Sequence, residues 1–190
     1  TYDQAWSHAF TEVDATYWDG GVYVAQIHHV NSGGTDYAEL MVFRFDENGA
    51  RDWSFGGGSG SVSISGFTTD SIVDVSLVAG DGYLDVFWVS ESRLRHSYLL
   101  LPTASTGTYH SDIGEIVAYG GLDSAAMNGI NADLFVAFKG VGGLLQGWRW
   151  EFGGTKTLID IAQGIFVFPQ WETVTVSAWG ERVSVSVASP

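Results

Sequence analysis

The chain has no cysteine. Disulfides, thiolate zinc sites and cysteine nucleophiles are therefore excluded. Lysine is almost missing, with Lys139 and Lys156 alone, and 8 basic residues stand against 22 acidic ones for a formal net charge of −14. A surface of that sign repels phosphate backbones and anionic headgroups, so neither nucleic acid nor an anionic membrane is an expected partner. No apolar run approaches the length of a membrane span, so no membrane insertion is expected. The opening TYDQAWSHAF has neither a basic segment nor an apolar run, and reads as no signal peptide. Sustained helical periodicity is also missing. What remains is a chain with 45% hydrophobic residues, 25 Gly, 8 Trp, 8 Tyr and 11 Phe in 190 residues. Large aromatics and frequent turn glycines favour strands, and the length suffices for a sizeable core.

The clearest unit is VDVSLVAGDGYLDVFWVSESRLRHSYLLL, residues 73–101. An acid leads an apolar strand, Asp81-Gly82 makes a tight turn, a second apolar strand follows, and a third comes after a polar break. Worn copies open at Val13-Asp14, Leu122-Asp123 and Trp171-Glu172, with spacings of 60, 49 and 49 residues between the acids. A period near 50 with four short strands per copy predicts a small all-β propeller of about four blades. The expected copies are 13–72, 73–121, 122–170 and a last one made from 171–190 plus 1–12. In that arrangement the N-terminal segment closes the ring with the C-terminal strands, within a single domain. A two-sheet β-sandwich is the alternative, since alternation alone does not separate the two.

Residues 40–64, LMVFRFDENGARDWSFGGGSGSVSI, carry a turn glycine at Gly49, then Asp52, Phe55-Gly56 and Gly58. This pattern resembles the delta-sixty repeat of bacterial surface β-propellers, and the resemblance extends over roughly residues 13–92. Later copies lack Asp-x-x-Phe-Gly, which only Glu151-Phe152-Gly153-Gly154 echoes. The resemblance implies a propeller of the extracellular space or cell surface, and no particular activity.

Four constellations are candidates for chemistry. The recurring acids Asp14, Asp74, Asp123 and Glu172 would lie near one mouth of the channel in equivalent blades. There they would either hold a hard cation such as Ca2+ or cap backbone N–H groups at inter-blade turns, and capping is the favoured reading. No other cofactor is expected. Asp81-Gly82 has no oxygen side chains at Leu77 or Ala79, so it reads as a turn and not a calcium loop. His28 and His96 lie in comparable regions of two copies, near Arg93 and Arg95, and His28, Arg95 and His96 would offer polar contacts to a ligand. Trp18 and Trp179 end the first strands of the first and last copies, where an indole stacks on a sugar ring, whereas Trp88, Trp148 and Trp150 within strands read as core.

Motifs of catalysis are missing. There is no G-x-S-x-G elbow, no H-E-x-x-H and no P-loop. The expected function is therefore non-catalytic recognition of a glycan or surface polymer. A structural or assembly module of a larger surface protein or fibre, including a homo-oligomer, is the alternative. A glycosidase with paired carboxylates is the third reading.

Overall fold

The computed structural model describes residues 7–66, 68–69, 71–80, 82–101, 109–118, 120–126, 133–150, 156–160, 173–179 and 182–188. The fold is all-β and consists of several small antiparallel sheets in chain order. The first holds β1 (Ser7–Trp18), β2 (Gly21–Ser32), β3 (Thr35–Asp46) and β4 (Ser61–Ser63). The second holds β5 (Ile72–Gly80), β6 (Tyr83–Ser90), β7 (Arg93–Leu100) and β8 (Tyr109–Val117). The third holds β9 (Asp123–Ala126), β10 (Leu134–Lys139), β11 (Leu145–Trp150) and β12 (Lys156–Asp160). The fourth pairs β13 (Thr173–Trp179) with β14 (Arg182–Ala188).

Residues 7–12 correct an expectation. The repeat places them with the C-terminal strands, yet Ser7–Phe10 pair with Val30, Asn31 and their neighbours on β2, across a bulge between Phe10 and Val13. β2 is twelve residues long, so its ladder continues past the hydrophobic repeat and captures the preceding segment. Residues 1–6 lie outside the described part.

Tight hairpins follow from local backbone chemistry. Asp19 and Gly20 both have positive φ, 45° and 73°, as the two central residues of a type I′ turn require. The β6–β7 turn meets the same demand with Glu91 at 51° and Ser92 at 59°. Neither is glycine or asparagine, so both side chains sit in the left-handed region at a cost of about 1 kcal/mol each. Replacing the pair by Asn-Gly should raise stability by about 1 kcal/mol, and thermal unfolding of the double variant measures it.

The core is layered. β1 packs on β5, β5 on β9, and β9 on β13. One buried cluster, with Tyr23, Ile27, Leu40, Phe55, Leu77, Leu84 and Trp88, lies between the first and second sheets. A second, with Phe87, Leu94, Leu134, Phe138 and Trp148, lies between the second and third. A third, with Phe135, Ala137, Val174 and Val176, joins the third to the fourth. Trp88 and Trp148 are core, as expected, with Trp148 edge-on to Phe87 at 6.3 Å. Trp150 ends β11, and its side chain lies outside the described part.

The glycine-rich connection after β3 is a compact plug. Ser54 donates from both its backbone N and its Oγ to Asp52 Oδ1, at 2.9 and 2.6 Å. Arg44 pairs with the other oxygen. These contacts, the Ser54 hydroxyl first, hold the Asp52 carboxyl below its ordinary range. The turn they fix drives Phe55 into the first core layer, edge-on to Tyr23 at 5.8 Å. Gly56 follows with φ 65°, and a Cβ there would lie 2.0 Å from the Ser61 carbonyl oxygen.

Candidate functional site

Asp14, Asp74 and Asp123 each begin the regular part of a first strand and share one role. Asp14 Oδ1 accepts the N–H of Ala15 at 2.8 Å, and its Oδ2 accepts that of Leu77, on the next sheet, at 2.7 Å. Asp74 accepts from Val75 at 2.9 Å and from Leu122 at 2.8 Å. Asp123 accepts from Ser124 at 2.9 Å and from Val176 at 2.5 Å. Every carboxylate therefore clasps its own sheet to the following one through backbone donors. Burial raises Asp14 above the ordinary carboxylate range and pushes Asp74 up to about 6, with Glu12 adding to the latter. The N–H donors of Leu122 and Val75 pull Asp74 the other way.

A carboxylate with both oxygens on N–H donors has little left to offer a cation. Among the described residues no group of three or more His, Asp or Glu side chains is arranged to hold a metal. Three of the acids of the expected calcium ring, Asp14, Asp74 and Asp123, act as separate clasps. Glu172 lies outside the described residues. Thr175 stands four residues before Trp179, as Asp14 does before Trp18, and its side chain shares a face with Trp179.

Beside the first clasp, at the turn end of the first two sheets, lies a pocket of about 430 Å3 lined by Trp18, Asp19, Gly82 and Leu101. The pairing of Trp18 with Gly21 puts the indole at the last rung of β1, on the same face as Asp14 and Thr16. There it packs against the core layer together with Leu101 and Ala79. Leu101 N–H donates to the Gly82 carbonyl at 2.7 Å, closing the opposite wall. Asp19 is exposed beside it, held by the type I′ turn. An aromatic face, an apolar wall and one exposed carboxylate suit a flat ligand with hydroxyl groups on its rim.

The other candidates fall elsewhere. Trp179 ends β13 opposite Arg182, on an open surface, 88% exposed. His28 lies on β2 across from Phe10 and Glu39. Arg95 lies on β7, 3.4 Å from Glu91. His96 is a correction: it is fully buried, stacked on Phe87 at 4.7 Å, with Nε2 2.8 Å from Asp85 Oδ1. It is a core residue satisfied by its carboxylate partner, not a ligand contact. None of these four is among the Trp18, Asp19, Gly82 and Leu101 that line the pocket. Asp19, Gly82 and Leu101 were missed from sequence, where the first two read only as turn residues and Leu101 as the end of an apolar run. Asp81 lies outside the described residues.

No family model and no curated protein matches the sequence. Among solved structures, the chain is similar to a fucose lectin from Kordia zhangzhouensis, in complex with methyl-fucoside, at 8% identity and a TM-score of 0.48 over 77% of this chain and 96% of that one. No described helix is long and apolar enough to cross a membrane.

Proposed function

We propose that this chain is a non-catalytic carbohydrate-recognition module of the extracellular space or cell surface, and that its four sheets are successive blades of a propeller. The observation that carries the binding reading is the Trp18 pocket, with its indole, apolar wall and exposed Asp19 carboxylate. Indole faces bind the C–H face of a pyranose, and a carboxylate accepts hydroxyl hydrogen bonds at the ring's edge. The propeller reading is supported by the layering. A sandwich buries one core between two sheets, whereas here three clusters follow one another between successive sheets, joined by first strands. The Asp52–Ser54–Phe55 plug, in the stretch that resembles the delta-sixty repeat, seats one aromatic in the layer between the first and second sheets.

Titration of simple glycosides by calorimetry, after a glycan array has identified a binder, tests the site. Trp18→Ala should weaken binding by about tenfold or more, since loss of one stacked aromatic is worth roughly 1–3 kcal/mol. Asp19→Asn should weaken it less. An array without binders, or unchanged affinity in Trp18→Ala, would remove the reading.

A further inference from the structure

The sheets are joined in one sense only. The face carrying the clasp on one sheet meets the back of the following sheet: Asp14 reaches Leu77, Asp74 reaches Leu122, and Asp123 reaches Val176. Two faces are left over. On the back of the first sheet, Val13, Ala15 and Tyr17 share a face with Val22, Val24, Phe43 and Phe45 through the β1–β2 and β2–β3 registers. Val13 is 62% exposed and Tyr17 64%. Counted from the acids Asp14 and Asp74, the corresponding residues on β5 are Val73, Val75 and Leu77. Val75 and Leu77 are 4% exposed because the first sheet covers them. The back of the first sheet is thus built as a covered face, and among the described residues nothing covers it. On the fourth sheet, Thr173, Thr175, Ser177 and Trp179 are exposed on the side away from the third sheet. That side has Trp179 in the place of Trp18 and Thr175 in the place of Asp14.

We propose that a second copy of this chain docks head to tail, its fourth sheet seated on the apolar back of the first sheet. The partner is identified by continuity: it repeats the junction that already joins the four sheets, and among the described residues the fourth sheet has the free face of matching sense. Trp179 would pack on the neighbouring copy as Trp18 packs on the first core layer, and the Thr175 hydroxyl would meet backbone where the acids do elsewhere. A hydroxyl accepts a weaker hydrogen bond than a carboxylate, and most of the rest of the β13–β14 face, Thr173, Ser177, Arg182, Ser184 and Ser186, is polar, which tolerates water. The joint between copies is therefore weaker than the joints within one chain. A junction of two unlike faces is heterologous, so it closes into a ring or continues as a filament.

Complementation tests this. Tyr17→Asp spoils the back face alone, and Trp179→Asp spoils the fourth-sheet face alone. Both residues are exposed, and unchanged melting curves would show that the variants fold. By sedimentation velocity the wild-type protein should form species larger than a monomer as concentration rises. Each variant alone should be monomeric, and an equimolar mixture should give a 1:1 dimer, since one intact pair of faces remains. A wild type that stays monomeric at all concentrations overturns the proposal. So does association that Trp179→Asp leaves intact, which would indicate two back faces meeting, and so does a mixture that stays monomeric.

Discussion

Phe55→Ala should destabilise the protein by about 3–5 kcal/mol, measured as the shift in urea unfolding at constant m-value. The ring is buried to 1% exposure in the first core layer, edge-on to Tyr23. Its removal leaves a cavity between two sheets, and the ends of the plug hold the backbone around it. Asp52 is tied by Ser54 and Arg44, and Gly56 sits so near the Ser61 carbonyl that even a methyl group has no room. The segment therefore has little freedom to collapse into the space, which places the loss toward the upper end of the range. Trp53, two residues earlier and 62% exposed, is the control. It lies 4.5 Å from the Arg51 guanidinium, and its replacement by alanine should cost less than about 1 kcal/mol. Similar losses from the two variants would contradict the packing of the plug.

The second large effect is electrostatic. Asp74 is carried up to about 6 in the folded protein, first by burial, from an ordinary value of 3.8. A carboxyl with a raised folded pKa binds its proton more tightly when folded. Its contribution to stability is therefore fully present below about pH 4 and is lost as pH rises through about 6. The stability of the wild type relative to Asp74→Asn should fall across this window by something on the order of 2–3 kcal/mol. Denaturant unfolding of both proteins at several pH values gives the difference directly, because the amide does not titrate and the other carboxylates cancel. Parallel stability curves would show that the second clasp is not desolvated as described. The direction is opposite to that of Asp52, whose depressed carboxyl favours folding at higher pH.

Much of this arrangement is legible in the sequence. Val13-Asp14, Val73-Asp74 and Leu122-Asp123 mark three clasps because each junction needs an acceptor at one rung of the first strand. Trp18 was visible because its turn, Asp19-Gly20, is a strong local signal. What escaped was decided across the fold. His96 looked like a ligand contact, and its burial against Phe87 and Asp85 depends on which face of β7 meets the third sheet. Residues 7–12 looked like the edge of another blade because aromatic spacing says nothing about partner. Leu101 became a pocket wall only through its hydrogen bond to Gly82, nineteen residues away along the chain.

The clasps also bear on how such a chain changes over generations. Each carries its acceptor in one unit and its donor in the next, so every unit holds half of two joints and needs nothing from more distant ones. Stability then accumulates from units and nearest-neighbour junctions, as in other repeat arrays. A whole unit can be duplicated or lost with its flanking halves still matched, whereas a cut through the middle of a unit leaves an acid without its partner. The architecture is in this sense extensible by the repeat and resistant to change by the residue.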